Sequence, residues 1–149
     1  MTIAVDFDGT IVENRYPEIG DDSHYTHTLG RGTETLKMLI KDRHRLILWT
    51  CREGRLLDDA INWCKERGVE FWAINKDFPE EDITKNHQFS RKIKADLFID
   101  DRMVGGLPDW GTIYQMIKYH KTLEQVIQES FGKVYEEDTP KKKHWWQFG

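Results

Sequence analysis

Cysteine is scarce in this chain of 149 residues: only Cys51 and Cys64 occur, with no Cys-x-x-Cys pair. Two cysteines in a chain of this size call for no disulfide framework, and a reducing cytoplasm fits them. Long apolar runs are also lacking. None approaches the ~20 residues that a membrane span needs. The first apolar run has no basic start and meets Asp6 early, which is not the pattern of a secretory signal, so no membrane association is expected. Excess positive charge is missing too. The 22 Lys and Arg stand against 26 Asp and Glu, a formal charge of −4 that gives no general attraction to nucleic acid. No internal repeat is visible. Hydrophobic residues make up 38%, a modest share, but aromatics are plentiful and the apolar residues fall in short blocks. That combination favours one folded α/β domain with a polar surface over disorder.

Four of those blocks read as strands: Thr2 to Phe7, Arg45 to Thr50, Val69 to Ile74 and Ala95 to Ile99. Each is nearly continuous in apolar residues, as strands covered on both faces of a parallel sheet are. Helical patterns lie between them. Residues 32–44 place Leu36, Leu39 and Ile40 on one face, with Thr33 as the N-cap. Residues 52–68 do the same with Leu56, Leu57, Ala60, Ile61 and Cys64, and Gly68 is a stop. Two further helices follow the fourth strand. Alternation of this kind predicts a Rossmann-like, doubly wound parallel sheet that presents ligands at the carboxyl ends of its strands.

Two stretches fall outside the alternation. Residues 13–31 are polar and aromatic, carry Pro17 and Gly20, and read as a loop or small hairpin near the end of the first strand. Residues 133–149 run from acids through Pro140 and a lysine triplet to Trp145 and Trp146, a tail following a domain of residues 1–132. The two tryptophans are expected to dock on the body or on a neighbouring subunit.

The strand tips carry the chemistry. The first ends in Asp6-x-Asp8-Gly9-Thr10, the second in Thr50, and the fourth in Asp100-Asp101, with Lys92 shortly before it. In a parallel sheet these tips share one edge, so three or four carboxylates converge beside a hydroxyl and an ammonium. Carboxylates crowded together need a cation, and an all-oxygen set suits a hard one such as Mg²⁺.

These residues resemble, in order and context, the four motifs of the haloacid dehalogenase superfamily of phosphohydrolases, over residues 1–119. The resemblance implies a sheet in which the fourth strand lies beside the first, then the second and third. It implies that Asp6 is the nucleophile, forming an aspartyl phosphate, and that Asp8 is the general acid and then base. Thr50 would hold a phosphoryl oxygen, and Lys92 would neutralise charge, with Lys76, Lys85, Arg91 and Lys94 as nearby alternatives for that cation. Mg²⁺ would be bound by Asp6, the backbone carbonyl of Asp8, and Asp101, with Asp100 in support. The acid at Asp8 fits a phosphatase or phosphotransferase, and no second-substrate site is visible, so water is the expected acceptor. Hydrolysis of a phosphate monoester, from a small molecule or a macromolecule, is the expected function. A nucleotidase, or a non-catalytic phospho-ligand-binding domain of the same fold, are the other readings.

Members of that superfamily often carry a cap domain. Roughly twenty residues between Ile11 and Gly32 suffice for a flap only, and Thr50 to Lys92 leaves no more room. A capless enzyme is therefore expected, either open to bulky substrates or closed by another subunit of a homo-oligomer. Arg15, Tyr16, His24, Tyr25 and His27 of the flap, and Arg52 beyond Thr50, are the candidate substrate contacts.

Plainer readings exist for each feature. Asp-Gly is a common turn former, but the matched Thr50 and Asp100-Asp101 argue against that alone. A calcium loop fails because Ile11 and Pro17 occupy its glycine and final-acid positions. His24 and His27 without a third ligand are solvated loop residues, and Cys51 without a His-Asp partner reads as a small buried residue.

Overall fold

The computed structural model describes residues 1–22, 31–82 and 92–135, the last three by backbone alone. The chain divides into two compact units, Met1–Gly111 and Thr112–Gly149.

The first unit is built on four short strands, β1 (Thr2–Val5), β2 (Arg45–Leu48), β3 (Ala73–Ile74) and β4 (Leu97–Ile99). All pair in parallel, in the order β3-β2-β1-β4. This is an α/β arrangement consistent with a Rossmann-like fold, and its strand order is the one the resemblance implies. Every strand is shorter than its apolar run, for identifiable reasons. β1 stops at Val5 because the Phe7 carbonyl accepts the N–H groups of Thr10, Ile11 and Val12 at 3.2, 3.0 and 3.2 Å, which turns the chain out of the ladder. β3 starts late because the Val69 N–H bonds the Cys64 carbonyl at 2.9 Å, finishing a helix rather than opening a strand.

Helices α1 (Gly32–Lys41) and α2 (Gly54–Glu66) cross between the strands. Leu36 and Leu39 of α1, and Ala60 and Cys64 of α2, are fully buried. Trp63 of α2 meets Phe7 edge-on, centroids 5.9 Å apart, so α2 covers the sheet face that carries Ile3 and Val5. The opposite face holds Ala4, Ile47 and Ala73, closed by Ile93 with Trp49, Trp72, Ala95 and Phe98 around it.

The helix ends differ from expectation in one respect. Thr33 does not cap α1; it is buried in the first turn, and its hydroxyl donates to the Asp22 carboxylate. The Thr33 N–H also donates to Asp22, at 3.4 Å, so a residue eleven positions upstream does the capping. α2 ends as expected: Gly68 has φ +82° and its N–H bonds Lys65 at 3.0 Å. α1 ends with the same pair of bonds, from Arg43 to Ile40 at 2.9 Å and His44 to Leu39 at 3.0 Å. Here a non-glycine residue, Arg43, takes the positive φ of 68°.

Helix α3 (Trp110–Tyr119) spans the division between the two units, and α4 (Leu123–Tyr135) lies in the second. A reciprocal cap opens α4: the Gln125 N–H donates to the Thr122 hydroxyl at 3.1 Å, and the Thr122 N–H to the Gln125 side chain at 2.8 Å. The compositional boundary at residues 132/133 falls inside α4, and the tail beyond residue 135 lies outside the described residues. Among the described residues, no helix is long and apolar enough to cross a membrane.

Left-handed backbone costs a residue with a Cβ more than it costs glycine. Arg43→Gly is therefore expected to stabilise the fold by about 0.5–1 kcal/mol, partly offset by the added freedom of the unfolded chain. Urea denaturation of the two proteins measures it, and equal or lower stability in the variant would contradict this account of the α1 terminus.

Candidate acidic cleft at the strand tips

Val5 and Ile99 are register partners in the β1–β4 pair, so the residues after them, Asp6 and Asp100, leave the sheet side by side. The Asp6 N–H still reaches the Ile99 carbonyl at 3.0 Å. Carboxylate oxygens of Asp6, Asp100 and Asp101 all lie within 4.8 Å of one another. Thr10, fully buried, ties two of them: its Oγ1 lies 3.1 Å from Asp6 Oδ2 and 3.2 Å from Asp101 Oδ1, and it accepts the Asp101 N–H at 3.0 Å. A hydroxyl has one hydrogen, so it satisfies one of these carboxylates at a time. Gly9 makes the approach possible. Its φ is +84°, and a Cβ there would collide with the Asp101 carboxylate.

Crowding shows in the charge state of Asp6. Burial, a hydrogen bond with Asp101 and the neighbouring Asp100 charge push its pKa from 3.8 up to about 7. An all-oxygen set of three acids this close fits a hard divalent cation.

Asp8 faces elsewhere. Both of its oxygens are held by Arg52, Nε to Oδ2 and Nη2 to Oδ1, each at 2.7 Å. Arg52 is only 1% exposed. Its remaining donors reach the carbonyls of Pro17 at 3.1 Å, Leu56 at 3.3 Å and Glu18 at 2.9 Å. All five guanidinium N–H groups are thereby used within the chain. The sequence suggests a substrate contact at Arg52; in the structure this residue instead fixes Asp8 and the flap backbone. The Asp8 hydrogen bonds hold the guanidinium above its ordinary pKa, against its burial.

A cleft of about 600 Å³ opens over this edge, lined by Asp6, Asp8, Asn14, Tyr16, Trp49, Thr50, Cys51, Arg52, Asp100 and Arg102. Thr50 sits at its expected place, its N–H donating to Asn75 Oδ1 at 2.8 Å and its Oγ1 accepting the Arg52 N–H at 3.2 Å. Tyr16 lines the cleft and is 56% exposed. Cys51, expected to be buried, is exposed. Arg15 turns to the base of the flap instead, pairing with Glu13 at 3.2 Å and Asp21 at 3.4 Å. Lys92 is not brought to the carboxylates: it is exposed, its ammonium lies 4.9 Å from the Phe98 ring centre, and it forms no ion pair with the described acids. His24, Tyr25 and His27 lie outside the described residues. Sequence reasoning gives no role to Thr10, Asn14, Asn75 or Arg102. Thr10 and Arg102 adjoin the acidic motifs, and Asn75 directly follows a strand, so their positions were available as signals.

Two outcomes follow from this geometry. Arg52→Met leaves the half-buried Asp8 beside an apolar chain and takes the guanidinium donors from the flap carbonyls of Pro17 and Glu18. A loss of about 3–5 kcal/mol in denaturation experiments is expected, with Arg52→Lys recovering only part because an ammonium lacks the fork. The second concerns pH. Folded Asp6 keeps a proton that the unfolded chain, at the ordinary value of 3.8, has given up. Its stabilisation is complete below the unfolded pKa and is lost as pH rises through about 7. In metal-free buffer the contribution of this group therefore falls from about pH 4 to about pH 7.5. Melting curves of native protein and Asp6→Asn across that range test this; the native protein should lose more stability than the variant, and added Mg²⁺ should offset the loss at the upper end.

No protein-family model matches the chain, and no curated protein is significantly similar to it. A solved structure does match: a conserved protein coded by a locus of Bacteroides thetaiotaomicron is 60% identical, with a TM-score of 0.73, the match covering 85% of this chain and 96% of that one. Identity at that level over nearly the whole of the other protein means that the chain belongs to the same family as this conserved Bacteroides protein.

Proposed function

We propose that the protein is a capless phosphatase with a haloacid dehalogenase-type core, hydrolysing a phosphate monoester through an aspartyl phosphate on Asp6 with Mg²⁺. The observation that carries this reading is the convergence of Asp6, Asp100 and Asp101 within 4.8 Å at the carboxyl edge of a parallel sheet. Thr50 and Asp8 in the same cleft support it.

Asp6, the Asp8 carbonyl and Asp101, with Asp100 beside them, are the residues that would hold the ion. Bound Mg²⁺ supplies positive charge that lets a phosphate dianion approach an acidic floor and that stabilises charge building on its oxygens. In the first step an Asp6 carboxylate oxygen attacks phosphorus, the bond from phosphorus to the ester oxygen breaks, and Asp8 gives that oxygen a proton. In the second, water attacks the same phosphorus, its proton goes to Asp8, and the bond to Asp6 breaks, releasing inorganic phosphate. The Thr50 hydroxyl hydrogen is available to a phosphoryl oxygen, since its oxygen already accepts from Arg52. Proton transfer at Asp8 requires one of its two 2.7 Å bonds to Arg52 to give way. Charge neutralisation falls to Arg102 in this reading, the exposed cation among the described residues lining the cleft, rather than to Lys92.

A phosphate-release screen over nucleotides, sugar phosphates and phosphopeptides with Mg²⁺ tests the proposal. Release is expected from at least one class, lost on chelation and reduced at least ~10³-fold by Asp6→Asn. Release that survives both treatments would remove Asp6 and the ion from the chemistry.

A further inference from the structure

We infer that Tyr16 is a stacking platform for a flat aromatic ring in the alcohol part of the substrate, so that the site favours phosphate esters carrying such a ring. This rests on the phosphatase reading, which puts the phosphoryl group at the Asp6 end of the cleft.

The ring of Tyr16 ends an ordered column. Trp63 stands edge-on to Phe7. The Arg52 guanidinium lies 5.1 Å from the Phe7 ring centre and 5.2 Å from that of Tyr16. Phe7 is fully buried and Arg52 is 1% exposed with every donor engaged, so the layer beneath Tyr16 is fixed. The backbone around the ring is fixed as well. The Tyr16 N–H donates to Asn14 Oδ1 at 3.3 Å, and the next two carbonyls accept from Arg52. Yet Tyr16 remains 56% exposed. With a guanidinium on one face, that exposure belongs to the other face and the edge of a ring that lines the cleft.

A ring held in this way costs a ligand little ordering entropy, and a second flat ring continues the stack. The cleft volume of about 600 Å³ exceeds what a phosphoryl group fills, so part of its wall faces the ester alcohol. Tyr16 and Asn14 are both part of the cleft lining. With its carbonyl taken by Tyr16, Asn14 has its two amide hydrogens left for acceptor atoms at the rim of a heteroaromatic ring.

The test uses two esters with the same leaving oxygen, adenosine 5′-monophosphate and ribose 5-phosphate, which differ in the ring. Their phosphonate analogues, with CH₂ in place of the ester oxygen, report binding without turnover. With Mg²⁺, the adenine-bearing phosphonate should bind the native protein about tenfold or more tightly than the ribose one by calorimetry. Tyr16→Ala should abolish that preference, and Tyr16→Phe should keep it. In hydrolysis the preference should appear in KM rather than kcat. Equal affinity for the two phosphonates overturns the inference, as does a Tyr16→Ala loss that is the same for both. If the phosphonates discriminate but no ester is hydrolysed, the stacking role stands and the phosphatase reading falls.

Discussion

Asp6 and Asp100 leave adjacent strands at the same level because Val5 and Ile99 are paired in register. Register in a parallel sheet is fixed by the buried faces, and a slip of one residue would turn Ile3 and Val5, both fully buried, to the other side. The fold's apolar interior thus forces two like charges together. A third, Asp101, is held against Gly9 and Thr10. Nothing in the sheet relieves that repulsion. Inside the protein that crowding, with burial, raises the pKa of Asp6.

Asp8 meets the same problem with a different answer. Two residues beyond Asp6, past the point where the Phe7 carbonyl turns the chain, its carboxylate meets the buried fork of Arg52. One guanidinium gathers the turn after β1, the flap carbonyls at 17 and 18, and the first turn of α2. The acids of this edge therefore fall into two groups: a crowded trio, and one carboxylate satisfied internally. That division separates groups suited to sharing a metal from one suited to handling protons, which is the physical content of the proposed chemistry.

The sequence makes the sheet legible because short apolar runs with Gly, Pro and Asp punctuation can be read locally, and the acids lie at the ends of those runs. Contacts that depend on a distant segment folding back are not legible that way. Arg52 looks like a free cation until residues 16–18 close over it. Thr33 looks like a cap until Asp22 arrives across the chain to do that work. Lys92 has a suitable spacing before β4, but the chain there runs across the Ala4–Ile47 face, where Ile93 is buried and the lysine settles over Phe98. Apolar runs overstate the strand lengths for a related reason: the hydrogen bonds that end β1 and delay β3 belong to a turn and a helix terminus, and apolar composition does not encode them.

Charge sets a condition on any ligand of this cleft. An anion that approaches Asp6, Asp100 and Asp101 unaided meets repulsion, and Arg52 is spent on Asp8 and backbone carbonyls. Arg102 alone faces three carboxylates, so in the proposed reading a phosphate ester would bind there together with a divalent ion, and the two should bind with mutual dependence. The exposed ring of Tyr16, also in the lining, carries no such condition. In the proposed chemistry the acidic residues, with an ion, would hold the phosphoryl group, while Tyr16 would select by shape. A ligand that engages only Tyr16 should be indifferent to the ion, and one that engages both should depend on it.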